Sequence, residues 1–382
     1  MANTITPLYP IIFDGLREVS RELHGFIPAV NMNASAERVA KGQAIEVPIV
    51  GKGSAKDISP SNISSTGQDH TVSNVEITIS KSRAYTLHLT GEEERGLDNA
   101  NREEWLRQVF AEGFRAISNE VETLIAELYY QASRAAGTAG TTPFTTADSL
   151  GDAPAVMRIL DENGAPKMNR QIVLGHAAME KARGQPSFVQ VDKSGDGGEM
   201  LRYGQIAMLG GLNVFYTGQV QSHAKGDADQ AINNSAGYEV GTTELTIDGG
   251  AATEDYNKGD IVTIGSGTDN YVVPKDLAGT VTTLEIAAPG LRAAVADDDT
   301  VTIGNDYVAN LAFHKQAIQL VARMPALPEG GDMGEHMMMR DPVSGLVFDI
   351  ARYAQYHQAT WEIGLAFGAD VIQPEHVAIL MG

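Results

Sequence analysis

The best-spaced ligand set in this chain is DKSGDGG, with Asp192, Ser194 and Asp196 at positions 1, 3 and 5 of a calcium-loop pattern and Gly197 at position 6. Such a loop closes on a bidentate acid at position 12. Tyr203 stands there, so the segment reads as a flexible polar turn. His336, followed by Met337, Met338 and Met339, offers soft-metal donors; the run equally suits a Met-rich loop packed on a neighbour. Asp297, Asp298 and Asp299 form a compact acidic turn that reads as solvated. The histidines are scattered, without close metal-ligand spacing. No nucleophile elbow, zinc-protease helix or phosphate-binding loop occurs. These residues point to no enzyme, no cofactor and no metal.

The element that would position everything else is the stretch 101–137. Leu106, Phe110, Phe114, Ile117, Val121, Leu124 and Leu128 recur at steps of four and three, one apolar stripe on a long helix. Asn101 with Glu104 makes a capping-box pattern, and Gly137 is a natural stop. At 1.5 Å per residue such a helix is roughly 50 Å long, the length of a strut. Gly113 interrupts it, at up to ~1 kcal/mol.

With 382 residues, 43% hydrophobic and 20% charged, the chain is globular and long enough for two or three domains. It has no cysteine, which rules out disulfides and thiolate sites and fits a reducing cytosol. The opening residues lack a signal-peptide pattern, and no apolar run suits a membrane-spanning helix. A net charge of −21 argues against binding nucleic acid by phosphate neutralisation. It suits a protein kept soluble at high concentration, or one with a basic partner.

Along the chain, a helix over 11–24 carries Asp14, Glu18 and Glu22 in an acidic row, beside Arg17 and Arg21, which can pair with it locally. This N-terminal arm has little core of its own. QAIEVPIV (43–50) and VEITISKSRAYTLHL (75–89) alternate apolar and polar residues around a Gly/Ser-rich tip, which makes an extended ribbon. Two strands alone are marginal in water, so the ribbon must rest on something else. Helix and strand signals then alternate, as in a mixed α/β unit. Residues 223–308 break that pattern with short β segments and turns, and carry 15 acids against 4 bases, a net −11. They read as an inserted β-barrel or sandwich. A buried strand or short helix follows over 313–323, then a Met-rich loop over 325–345, long strands over 346–358 and 361–367, and a closing segment over 371–380.

The order of these pieces resembles the major capsid (coat) protein of tailed bacteriophages, an α+β chain of the Hong Kong 97-type fold. More narrowly, it resembles the coat proteins of the Salmonella podophage group, which carry an inserted β-barrel. GQAIEVPIV and VEITISKSRAYTLHLTGEEE match the extended loop, and EEWLRQVFAEGFRAISNEVETLIAELYYQA matches the spine helix. ILDENGAPKMNRQIVLG, GLNVFYTGQVQSHAKG and AFHKQAIQLVARMP match the axial domain, and VFDIARYAQYHQATWEIGLAFGADVIQPEHVAIL matches the peripheral-domain strands.

The resemblance implies an arm (1–40), an extended loop (41–90) and a peripheral domain (91–140 and 345–382) with its spine helix. It also implies an axial domain (141–222 and 309–344) and the inserted domain (223–308). It implies a non-enzymatic shell of hexamers and pentamers enclosing double-stranded DNA without sequence-specific binding. The partners would be a scaffolding protein with helical, basic coat-binding segments and a portal protein. The shell would be assembled in the bacterial cytoplasm and end in the virion, with no membrane involved. Asp14, Glu18 and Glu22 become candidate scaffold contacts. Lys52 and Lys56, in the ribbon tip, become candidate intersubunit contacts, without an identifiable catalytic Glu or acceptor Asn for crosslinking. An encapsulin-like nanocompartment, which shares the fold, is the alternative.

Overall fold

The computed structural model describes residues 9–22, 25–50, 72–97, 102–146, 149–186, 206, 208–249 and 255–382. The N-terminal third runs α1 (Tyr9–Glu22), α2 (Phe26–Ala29), β1 (Asn31–Val39), β2 (Ala44–Val50), β3 (Val72–Thr78), β4 (Lys81–Thr90), α3 (Gly91–Leu97) and α4 (Arg102–Ala126). The stripe of α1, Ile12, Leu16 and Val19, is at most 2% exposed. It packs on α4 in the main apolar core, so the arm shares a core that its own sequence does not supply.

The alternating run 75–89 is two strands rather than one. β3 pairs with β2 in antiparallel register from Ala44↔Thr78 to Val50↔Val72. At Ile79 the chain turns back to bond Gly42 and Gln43. Ile77 and Ile79 are fully buried against Val39, Val321 and Ala366, whereas Ile45 and Val47 are half-buried. The ribbon is thus anchored at its foot, and burial falls off along it. The tip, with Lys52 and Lys56, lies outside the described residues.

α4 buries Leu106, Phe110, Phe114, Ile117 and Val121 as the spacing requires, and adds Ile125. It ends at Ala126, short of the expected Gly137: residues Glu127–Gln131 tighten into a 3-10 turn, and Arg134–Ala136 form β5. At 25 residues the helix is about 37 Å long. Sheet pairing wins over helix propensity here, because Arg134, Ala135 and Ala136 pair with Ala378, Ile379 and Leu380. Asn101 lies outside the described residues, and the Glu104 carboxylate is held by Arg107 and Gln108. A capping box forms instead at α3, where the Thr90 N–H donates to Glu93 Oε2 at 2.8 Å and the Glu93 N–H to Thr90 Oγ1 at 3.3 Å.

The next unit contains α5 (Asp152–Glu162), β6 (Arg170–Leu174), α6 (His176–Arg183), β7 (Met208–Leu209) and β8 (Leu212–Tyr216). All five β6 residues are buried, as the run RQIVL suggests. The calcium-like segment from Asp192 to Tyr203 lies outside the described residues.

Short strands follow: β9 (Ser222–His223), β10 (Gln230–Ile232), β11 (Glu244–Asp248), β12 (Ile261–Ile264), β13 (Asn270–Val272), β14 (Thr283–Glu285) and β15 (Thr300–Ile303). β10 to β15 share one apolar cluster, to which Ile232, Leu245, Val262, Tyr271, Leu284 and Val301 each contribute. Their ladder runs β14-β11-β10-β15-β12-β13. The Ala287 N–H donates to the Val272 carbonyl at 2.9 Å and joins its two ends. The acidic turn is not merely solvated: Asp297 accepts from the Asn234 N–H and Asp299 from the Ala296 N–H.

The chain closes with β16 (Tyr307–His314), β17 (Ile318–Pro325), β18 (Glu335–Arg340), β19 (Val347–Gln355), β20 (Gln358–Val371) and β21 (Val377–Met381). Residues 313–323 therefore straddle two strands. The Met run is an edge strand in which Met339 is fully buried and Met338 is 50% exposed. One sheet has the order β1-β17-β20-β19-β18, with β4 also on β20 through ten pairs. The other links β13 through β5, β21, β16 and β6 to β8 and β7. β9 pairs with the start of β16, Tyr307↔His223, so the chain enters and leaves the β10–β15 unit side by side. That geometry is the one an independently folding insertion requires. Expressed alone, residues 223–308 are expected to give β-type circular dichroism and one cooperative thermal transition; a disordered spectrum would contradict this.

Candidate functional site

The acidic row of α1 divides in the structure. Asp14 stands 3.9 Å from Arg17, both about half exposed. Glu18 pairs with Arg107 of α4, and Arg107 also holds Glu104; the Arg21 side chain lies outside the described residues. Its hydrogen bond to Glu104, with both acids beside it, raises the Arg107 pKa. Glu22 ends α1, but its side chain lies outside the described residues. Exposed pairs of this kind contribute only about 0.2–1 kcal/mol each. Asp14 and Glu18 are held lightly and face solvent.

Three ionic junctions, invisible as motifs, tie distant segments together. In the first, Arg38 of β1 binds Asp349 of β19 through Nη1 at 2.7 Å and Nη2 at 3.0 Å. His336 lies between Asp349 (3.1 Å) and Asp332 (2.9 Å), and the Tyr353 hydroxyl donates to Asp332 at 2.9 Å. His336 is therefore part of a carboxylate network and not a partner of the Met run in metal binding. In the second, Arg134, 2% exposed, reaches Glu162 at 2.6 Å and Asp269 at 3.0 Å, and so joins β5, α5 and the β10–β15 unit. In the third, His223 Nε2 lies 2.8 Å from Asp260 and Nδ1 2.9 Å from the Tyr129 hydroxyl.

That third set has the composition of an acid–base relay. Its burial decides otherwise: His223 is 4% and Asp260 0% exposed, and Asp260 also accepts from the Gly226 and Asn257 N–H groups. It braces the base of the β unit against the end of the spine and presents no nucleophile to solvent. A cleft of about 230 Å³ beside His176 and Asn310 is smaller than the usual small-molecule site of roughly 300–1,000 Å³. Among the described residues, no group of three or more His, Asp or Glu could hold a metal ion.

Apart from His336 and Asp332, four residues apart, the partners in these junctions sit far apart in the chain, Arg38 and Asp349 by 311 residues, so local spacing does not reveal them. The available signal was a charge inside an apolar run, such as Asp349 in VFDIARY. Buried charges of this kind are almost always paired.

No family model and no curated protein matches this sequence. Among solved structures, the chain is similar to the capsid of the cyanophage P-SCSP1u, with 14% identity, 93% of this chain and 87% of that chain covered, and a TM-score of 0.48. It is similar to the capsid of a native GTA particle, with 10% identity, 94% and 89% covered, and a TM-score of 0.46. It is also similar to a virus-like particle from Pyrococcus furiosus, with 8% identity, 96% of each chain covered and a TM-score of 0.42.

The His336 network has a defined pH signature. Partial burial pushes the Asp332 carboxyl up, but the Gly334 N–H, the His336 ring and the Tyr353 hydroxyl outweigh it and hold its pKa below the usual range. A depressed acid stabilises the fold above its ordinary pKa and loses that contribution as pH falls through the folded-state value. Asp332→Asn is expected to melt below the wild type at neutral pH. The difference should shrink as pH is lowered from about 5 to about 2, which thermal melts across that range would check.

Proposed function

We propose that this chain is the major capsid protein of a tailed bacteriophage. Copies assemble as hexamers and pentamers into an icosahedral shell that encloses double-stranded DNA without sequence-specific contacts. The observation that carries this reading is the ribbon. Among the described residues, β2 pairs only with β3, and β3 only with β2. Isolated two-stranded ribbons are marginal in water, so this one needs a surface to lie on beyond its foot. A neighbouring copy is the partner that a closed shell supplies. The order of arm, ribbon, spine, mixed unit, β insertion and returning strands fits the same reading. The net charge of −21 suits a lining to which packaged DNA does not stick.

Electron microscopy of the purified chain tests this. Closed shells are the expected result. A variant in which residues 44–78 are replaced by a short turn is expected to stay folded but form no shells. A wild type that remains monomeric at high concentration would overturn the proposal. Shells that co-purify with protein cargo instead of DNA would favour the nanocompartment reading.

The acidic row is our proposed scaffold contact. A contact built from weak exposed pairs must be multivalent and salt-sensitive. Replacing Asp14, Glu18 and Glu22 with Ala is expected to leave the melting temperature nearly unchanged. It should reduce co-sedimentation of scaffold with shells, more at ~0.05 M than at ~0.2 M salt, where screening already weakens the contact. Unchanged co-sedimentation would leave the row as a solvated face.

A further inference from the structure

Glu122 of α4 is 4% exposed and differs from the other buried carboxylates in what surrounds it. Asp349 has the Arg38 guanidinium. Asp260 has His223 and two backbone N–H groups. Asp341 accepts from the Val343 and Ser344 N–H groups at 3.0 Å. Glu122 has the Thr217 hydroxyl, 2.6 Å from Oε2, and the nearby Phe26 and Ile27 backbone N–H groups, but no cation among the described residues. Oε1 makes no hydrogen bond. An ionised carboxylate so placed is poorly compensated.

The carboxyl also occupies a mechanical position. Gly25 joins α1 to α2, and a Cβ there would fall 2.1 Å from Glu122 Oε2 and 2.3 Å from Oε1. The carboxyl group thus lies directly against the hinge of the arm. Thr217 follows β8, so a single side chain bridges arm, spine and axial unit. α2, which packs against α4, β6 and β8, carries no charge in its sequence FIPA. Among the described side chains, the charged groups on the surrounding elements are already engaged; those of Arg21 and Glu22 on α1 lie outside them. On α1, Asp14 and Arg17 pair, and Glu18 pairs with Arg107. On α4, Glu120 pairs with Arg83, and Arg115 with Glu112. Arg170 of β6 pairs with Asp161, and β8 carries no charge. His24 precedes Gly25 and lies outside the described residues.

We propose that Glu122 is a proton-operated latch on the N-terminal arm. As the neutral acid it leaves the Gly25 hinge closed; once ionised it draws water into the joint and frees α1 and α2 from the spine. The latch does not depend on whether the chain builds a shell, so the two ideas fail separately.

Burial raises the Glu122 pKa, and the Thr217 hydrogen bond and the nearby backbone N–H groups of Ile27 and Phe26 offset part of that. A raised acid stabilises the closed joint fully below the ordinary carboxyl pKa. That stability is lost as pH rises from there to the raised value and is constant above it. The arm therefore opens on the alkaline side.

The Val30 N–H, bonded to the Phe26 carbonyl at 3.0 Å, reports the state of α2. Hydrogen exchange of this amide in the full chain, corrected for the intrinsic effect of pH, gives the fraction open. Between about pH 5 and 8 that fraction is expected to rise about tenfold for each unit of pKa shift. Glu122→Gln should abolish the rise, and His24→Asn should keep it. Thr217→Val removes a hydrogen bond that lowers the pKa, so its opening midpoint should move to higher pH. A flat wild-type profile overturns the latch. So does a Glu122→Gln profile that still rises, a His24→Asn profile that goes flat, or a Thr217→Val midpoint that stays in place. The Thr217→Val and His24→Asn arms decide the matter if Glu122→Gln does not fold.

Discussion

Phe110 and Phe114 reach from α4 to Trp361 and Phe348, edge to face, with ring centroids 6.0 and 5.0 Å apart. Between them, a Cβ on Gly113 would fall 2.5 Å from the Tyr85 ring and 3.0 Å from the Ile363 side chain. The glycine that weakens the helix is what lets it sit this close to β4 and β20. Emptying either aromatic site would cost about 3–5 kcal/mol, a large share of a typical domain's net stability of about 5–15 kcal/mol. Everything else is placed relative to this contact. β20 carries β4 and so sets where the ribbon leaves the body, and the outer side of α4 receives the arm.

The arm and the β unit attach to this frame by contrasting means. The arm contributes Ile12, Leu16 and Val19 to the main core, but its polar links are exposed pairs such as Glu18 with Arg107. The β unit has its own core and is fixed by two buried polar junctions, Arg134 with Asp269 and His223 with Asp260. Removing one partner from such a buried pair leaves a charge uncompensated, at about 3–5 kcal/mol, whereas an exposed pair is exchanged for water at little cost. The molecule is thus held firmly at the insertion and lightly at the arm.

The sequence made the apolar periodicities legible, and with them the helix stripe from Leu106 to Val121, the buried strand 170–174 and the change to short strands over 223–308. It misled where tertiary pairing overrode a local signal. The helix pattern runs on through Leu128, but Ser133 bonds to Val377 and the chain joins a sheet. The alternation over 75–89 is unbroken, yet Lys81 to Thr90 belong to β20's edge and not to the ribbon. Alternation marks a face and is silent about the partner. Of the residues proposed for contacts, Asp14 and Glu18 are exposed on α1. The partner of Glu18 came from α4, which no spacing within α1 could reveal.

The same physics sets what this chain can do alone. Val75, Ile77 and Ile79 lie on one face of the ribbon, and their burial falls from complete at the foot to partial at Val75. Each residue further out exchanges less apolar surface for its ordering cost, which is about 1–2 kcal/mol of backbone entropy per residue. Beyond the foot, pairing between two strands does not meet that cost in water. A second body alongside would supply the missing burial without changing the ribbon's register, since the register is already set by β2 and β3 themselves. The ribbon's shape is therefore fixed in advance by β2 and β3, while its stability depends on whatever surface lies alongside, as the proposed assembly would require.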